Sequence, residues 1–363
     1  GERSNERRAT DATSDPLDSS TGGSAVNQGA PGSEGDVAFE SFEMLASVEA
    51  SFMDIRAICF APDGQVFVTG GGTPTIWEIG SEEPLFVFED LYPLTGTVVE
   101  AEAVAVSSDG ALLAIAGGDG KTHLFDFKSR VPKHEIQSHE PGVVSVTFSR
   151  DGKTLATSGF DGKAKVWDTD TGKQIAVCDV QEERRVRSAL SPDGKLLVSA
   201  GKEAFVWSAE SGEKLGELNR GEPRDLGVWT AKFSCDGKQI ATGDVTVEFE
   251  NAALIWSTET RELVATLEHE YGVWHVEFSP DGKFLATGDV NGVARIWQLA
   301  DQVLVQTMEL EEVSSIDAIA WMPGGKVVAV AGDGTVRLWG TPGSIKVSSE
   351  SGDQGGGEEA ALE

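Results

Sequence analysis

The five histidines, at positions 123, 134, 139, 269 and 275, are the side chains best suited to metal binding or to proton transfer near neutral pH. None stands in an H-E-x-x-H pair, the spacing that sets two imidazoles on one helix face around a zinc ion. The 60 Asp and Glu residues offer many carboxylates, but they gather at repeated Asp-Gly pairs, where turn geometry already accounts for them. Asp168-Thr-Asp-Thr-Gly172 opens like a calcium loop and lacks the later acidic ligand such a loop requires. Cys59, Cys178 and Cys235 include no C-x-x-C pair, so they read as small core or turn residues and not as a zinc site or a disulfide framework. Gly70-Gly-Gly72 reads as a tight bend between strands, since no G-x-x-x-x-G-K-[ST] phosphate loop is present. No G-x-S-x-G nucleophile turn occurs either. These patterns point to binding chemistry with no metal, cofactor or catalytic set.

Charge narrows the class of partner. Lys and Arg number 29 against the 60 acids, a formal net charge of -31, and such a field repels nucleic acid and anionic membrane surfaces. No direct membrane contact is expected, and basic or neutral partners are favoured. No segment has the roughly 18 consecutive apolar residues of a membrane span. The reading leans to a cytoplasmic location, while a leader or anchor removed ahead of Gly1 stays open. Residues 1–37 and 348–363 are Ser-, Gly- and acid-rich with little apolar content, so they read as disordered tails around a folded domain at 38–347.

Within that domain two markers recur. Asp-Gly pairs stand at 63, 109, 151, 193, 236 and 281, with Gly324-Gly325 in the seventh place, at spacings of 42 to 46 residues. An aromatic closes a later strand at Trp77, Phe125, Trp167, Trp207, Trp256, Trp297 and Trp339, at spacings of 40 to 49 residues. Between them run apolar segments alternating with period two, and Asp-Gly between such runs is a hairpin signal. One shared period near that of a four-stranded blade predicts an all-β, seven-bladed β-propeller.

The blocks FSRDGKTLATSGFDGKAKVWD at 148–168 and FSPDGKFLATGDVNGVARIW at 278–297 resemble the WD-repeat family, and the likeness extends over about residues 38–340. The resemblance implies a platform for protein interactions, in a fold that serves unrelated pathways. It also implies a hydrogen-bonded set within a blade, carried here by His139, Thr157, Asp161 and Trp167 in the third repeat. His269, Thr287, Asn291 and Trp297 match it in the sixth, with an amide in place of the carboxylate. The other repeats lack the histidine and are expected to rely more on packing. Since the seventh repeat ends near Trp339, residues 38–48 are predicted to supply the outer strand of the last blade and close the ring, with residues 345–347 as the rival.

Partner residues follow from aligning the seven first strands at the channel face. Four positions ahead of the residues equivalent to Phe278 stand Arg56, Glu102, Val144, Val186, Trp229, Trp274 and Asp317, which are expected to ring the opening. Tryptophan is enriched at binding hot spots, so neighbouring Trp229 and Trp274 predict an apolar anchor site, with packing between blades as the alternative. Tyr92, Phe160 and Phe249 lie on segments assigned to the same face. Glu102 and Asp317 would favour basic flanks on a docked peptide or loop. The run Glu182-Glu-Arg-Arg-Val-Arg187 reads as a solvated edge or as a contact for an acidic partner. A non-enzymatic scaffold is thus expected. Two alternatives remain: a propeller enzyme with a small polar substrate in the channel, and a structural subunit of a multiprotein assembly, which apolar patches on the outer blade edges would favour.

Overall fold

A computed structural model describes residues 41–50, 54–89, 91, 100–180, 185–219, 221, 227–245, 251–310, 313 and 315–345. Strands, turns and bends, with no helix, make up these residues. After β1 (Glu43–Glu49), the first blade is β2 (Ala57–Phe60), β3 (Val66–Gly70), β4 (Thr75–Glu78) and β5 (Pro84–Val87). The second is β6 (Ala101–Val106), β7 (Leu112–Gly117), β8 (Lys121–Asp126) and β9 (Pro132–Gln137). The third is β10 (Val143–Phe148), β11 (Thr154–Gly159), β12 (Lys163–Asp168) and β13 (Gln174–Asp179). The fourth is β14 (Arg187–Leu190), β15 (Leu196–Ala200), β16 (Ala204–Ser208) and β17 (Lys214–Leu218). The fifth is β18 (Gly227–Phe233), β19 (Gln239–Val245), β20 (Asn251–Ser257) and β21 (Leu263–His269). The sixth is β22 (Val273–Phe278), β23 (Phe284–Asp289), β24 (Val293–Gln298) and β25 (Val303–Glu309). The last combines β26 (Ala318–Trp321), β27 (Val327–Gly332) and β28 (Thr335–Gly340) with β1.

Five of the blades share the same local chemistry at their first turn. In the third, Ser149 Oγ donates to Asp151 Oδ1 at 2.7 Å and accepts from Thr154 N at 3.0 Å, while Asp151 Oδ1 accepts from Lys153 N at 3.1 Å. Gly152 takes the positive φ of 68° that reverses the chain. The same Ser–Asp pair holds the turn at Ser107, Ser191, Ser234 and Ser279. Those hydrogen bonds hold Asp109, Asp151, Asp193 and Asp236 below the usual carboxylate range, so the carboxylates at these turns have structural work.

The ring closes twice over. The innermost strands β2, β6, β10, β14, β18, β22 and β26 touch in that order, and β26 touches β2. At the rim β1 pairs antiparallel with β28, from Glu49 opposite Thr335 to Glu43 opposite Gly340. The closing strand therefore comes from the N-terminal side, and it starts at Glu43 where the sequence suggested a longer run. Residues 38–40, like 346 and 347 of the rival segment, lie outside the described residues.

Seams between blades form the core. Trp77 packs with Val327, Ala329 and Leu338 of the last blade, Trp207 with Ala156 and Val166 of the third, and Trp297 with Ala241 and Ile255 of the fifth. The indole N–H of Trp77, Trp167, Trp207, Trp256 and Trp297 each donates to a Thr or Ser hydroxyl on the neighbouring strand, at 2.8 to 3.1 Å. Three of the blades without the histidine, expected to rely more on packing, thus keep half of the bonded set. In the second blade the aromatic is Phe125 and the hydroxyl position is Ile115, so both polar groups are gone together. In the last blade Val330 takes that position and Trp339 Nε1 has no hydrogen-bond partner among the described residues.

The third blade brings all four residues of its set together. His139 Nδ1 lies 2.8 Å from Asp161 Oδ1 and Nε2 lies 2.8 Å from Thr157 Oγ1, which also accepts from Trp167 Nε1 at 2.8 Å. The carboxylate can only accept, so Nδ1 carries the proton, Thr157 donates to Nε2, and the chain runs Trp167 to Thr157 to His139 to Asp161. The sixth blade differs. His269 Nε2 meets Thr287 Oγ1 at 2.8 Å, but Nδ1 turns to Leu267 O at 2.8 Å and Asn291 takes no part. The acid there stands two residues earlier: buried Asp289 accepts from Asn291 N, Val293 N and, at 2.6 Å, from Arg295. The third blade has Gly159 at that place, with His139 packed against it.

Candidate binding site at the channel mouth

The aligned row of seven residues does not form one ring. In the second, third, fifth and sixth blades the register of the first strand slips at Glu102, Val144, Trp229 and Trp274, so each is the extra residue of a β-bulge. A bulge re-aims its own side chain and reverses the facing of those that follow. Arg56, Val186 and Asp317 stand just ahead of their strands. Val186 is fully buried and packs in the seam between the third and fourth blades, while Val144, buried as well, stands with Arg56 and Glu102 in the wall of the channel.

Trp229 and Trp274, half-buried in adjacent blades, stack on one another with ring centroids 5.1 Å apart and planes 17° from parallel. Beneath them Arg187 reaches from β14 and donates through one guanidinium nitrogen to Trp229 O at 3.1 Å and Trp274 O at 3.4 Å. One side chain thereby ties the bulges of two neighbouring blades.

The throat is lined by the row one place later: Ala57, Ala103, Ser145, Arg187, Thr230, His275 and Ala318 surround a void of about 120 Å³. Most of these are small, which leaves room for the long Arg187 side chain. In the four bulged blades this row follows from the reversed facing after the bulge, and its signal in the sequence is the polar residue inside otherwise apolar strands, as in Val-Ser145-Val-Thr147-Phe and Trp-His275-Val-Glu277-Phe. Burial and the neighbouring Arg185 pull the Arg187 guanidinium down to about 9. Burial, then Arg187, Lys232 and Arg185, hold His275 well below its usual range, so its imidazole is neutral.

The charged groups around the throat are mostly paired. Arg56 lies 3.3 Å from Glu100 and 3.9 Å from Glu102, Arg185 lies 3.9 Å from Glu102, and Lys232 lies 2.9 Å from Glu277. Arg185 and Arg187 belong to the run read as a surface edge; instead they turn into the channel, while 181–184 lie outside the described residues. Asp317 accepts from Ser315 Oγ at 2.7 Å, and burial, with Asp54 and Asp333 adding, raises its pKa. Phe160 is 40 % exposed at the turn between β11 and β12 and contacts neither tryptophan ring. Tyr92 and Phe249 lie outside the described residues.

Among the described residues no group of three His, Cys, Asp or Glu side chains is placed to hold a metal ion, and no helix is long and apolar enough to cross a membrane. All three cysteines are free thiols, and burial pushes those of Cys59 and Cys178 up to about 12. A second surface feature is the outer strands. Met44, Leu85, Ile175, Leu215, Leu263, Val264, Val303 and Leu304, each at or near the start of such a strand, are 41 to 54 % exposed.

No curated protein matches the chain. The family model for the WD domain, G-beta repeat, matches residues 130–168, 261–298 and 303–340. Each match covers the outer strand of one blade and the three inner strands of the next, so a chain built of such repeats must begin with the strand that completes its last blade. The chain thus carries WD repeats at three positions within a β-propeller of seven four-stranded blades, a fold typical of protein-interaction scaffolds.

Proposed function

We propose that this propeller is a non-enzymatic scaffold that seats a peptide or protein loop at the channel mouth, with an apolar side chain of the partner against Trp229 and Trp274. The observation that carries the reading is their stack: two large rings, half-exposed and fixed by bulges, whose backbone is held from below by Arg187. Rings held rigid before binding lose little conformational freedom on contact, which is what makes tryptophan an efficient anchor. A basic flank is best supported near Asp317, with Asp54 and Asp333 beside it. Glu102 contributes less, because Arg56 and Arg185 already engage it. Among the described residues His275 has no carboxylate partner, so the throat lacks the paired acid and base that would support a propeller enzyme.

The test is selection of peptides from a displayed random library on the purified chain, followed by titration of the selected peptides against Trp229→Ala and Trp274→Ala. Selected peptides should share an apolar residue and lose at least about tenfold in affinity, about 1.4 kcal/mol, in each variant. Unchanged affinity in both variants would overturn the proposal. The exposed apolar residues on the outer strands favour a second reading, a permanent subunit of a larger assembly. A companion that copurifies from native extract in fixed proportion, and is lost on Leu263→Lys with Val264→Lys, would carry it.

A further inference from the structure

The throat below the tryptophans holds an unbalanced cation. Arg56, Arg185, Arg187 and Lys232 face three carboxylates, Glu100, Glu102 and Glu277, and every ion pair among them leaves out Arg187. Its only hydrogen bonds run to two backbone carbonyls, so among the described residues no carboxylate lies within salt-bridge reach of this deeply enclosed guanidinium. A half-buried cation with no carboxylate in reach is left under-compensated, with two carbonyl oxygens and the more distant Glu102 to offset it. A propeller with a net charge of -31 nevertheless keeps one at its centre.

From this geometry we infer that the throat is a seat for one small oxyanion group, bound by Arg187 with Lys232, Ser145, Ser188 and Thr230 around it. The void of about 120 Å³ has room for roughly four waters. That is ample for a phosphate-sized anion or the carboxylate end of a side chain, and far too little for a folded segment. Ser188, in the wall of the same void, has a buried Oγ with no hydrogen-bond partner among the described residues. Arg185 Nε is likewise buried without a partner beside it. Burial, and after it the neighbouring cations, lowers the proton affinities of Arg187 and His275, and a bound anion would offset the second of these causes.

The experiment is equilibrium dialysis of the full chain against radiolabelled inorganic phosphate, at constant ionic strength set with chloride. One saturable site is expected. Arg187→Gln should weaken it at least tenfold and Lys232→Met at least threefold, while Lys238→Gln on an exposed turn leaves it unchanged. Trp229→Ala and Trp274→Ala should also keep phosphate, since backbone carbonyls and not the rings hold Arg187; failure of the peptide reading is therefore distinct from failure of this one. Competition by acetyl-glutamyl amide separates the sources: displacement of phosphate identifies an entering side chain as a fitting occupant, and phosphate binding without displacement identifies a free anion. Absence of saturable phosphate binding to the full chain would overturn the inference. So would equal binding by wild type, Arg187→Gln and Lys232→Met, and the lysine variant keeps the test decisive if the arginine variant fails to fold.

Discussion

Thr157→Val is the perturbation that best tests the bonded chain in the third blade. Thr157 is fully buried, and valine matches its shape while removing the one hydroxyl that serves both Trp167 Nε1 and His139 Nε2. Two buried polar groups then lose their partner, at about 1–3 kcal/mol each, so the expected loss is about 2–6 kcal/mol. Thr69→Val in the first blade is the internal control, because Thr69 accepts only from Trp77, at 3.0 Å, and its loss should stay near about 1–3 kcal/mol. Adding Trp167→Phe to Thr157→Val removes one of the orphaned groups, so the double variant should be more stable than the two single losses sum to. Nearness of the two side chains makes such coupling measurable by a double-mutant cycle. Urea midpoints by far-ultraviolet circular dichroism, compared at constant m, give the free energies. A Thr157→Val loss no larger than that of Thr69→Val would refute the shared-hydroxyl reasoning.

Acid should weaken the ring before any turn carboxylate titrates. His269, depressed by burial to about 4 from 6.5, stays neutral in the fold while the unfolded chain takes up a proton. Its contribution is full above about pH 6.5 and is lost as pH falls from there to about 4, by about 3 kcal/mol for such a shift. His139 moves in the same direction. Urea midpoints between pH 7.5 and 4 should therefore slope downward, with a shallower slope in His269→Gln; parallel slopes would count against the assignment. Deleting residues 1–50 removes β1 and bares the edge of β28, which Glu49 and Glu43 now cover from Thr335 to Gly340. The truncated chain should self-associate in size exclusion with light scattering, and a monomer with the full-length urea midpoint would refute strand closure.

The blade count and the closing strand were legible because their chemistry is local and repeats. Ser149, Asp151 and Gly152 make a turn whose bonds lie within a few residues, and the same letters write it again at Ser234, Asp236 and Gly237. The channel lining was not legible at fixed spacing. A bulge adds one residue, and with a side-chain period of two that single residue exchanges the row facing the channel for the row facing the seams. In the fourth blade, which has no such bulge, Val186 stands just ahead of β14 and packs in the core, and Arg187, taken for part of a surface run, came to the centre. Asn291 misled for a similar reason: spacing matched the acid of the third blade, while the working carboxylate, Asp289, stands two residues earlier where the other repeat has Gly159.

Near-identical blades place equivalent residues at equivalent distances from the channel, and this limits what the throat can tolerate. Seven arginines in the row of Ala57, Ala103 and Ala318 would fill the void and repel one another, whereas one can span it because its neighbours are small. Its anchor points are also unequal. Arg187 bonds to the carbonyls of the two blades whose bulges carry tryptophan, so the cation of the throat and the aromatic pair of the mouth share a backbone support. The seams, built alike around the ring, account for the fold; the departures from likeness at Arg187, Trp229 and Trp274 fall together on one side of the channel. Specificity in a repeat protein must come from such departures, since a contact offered equally by every blade cannot orient a partner.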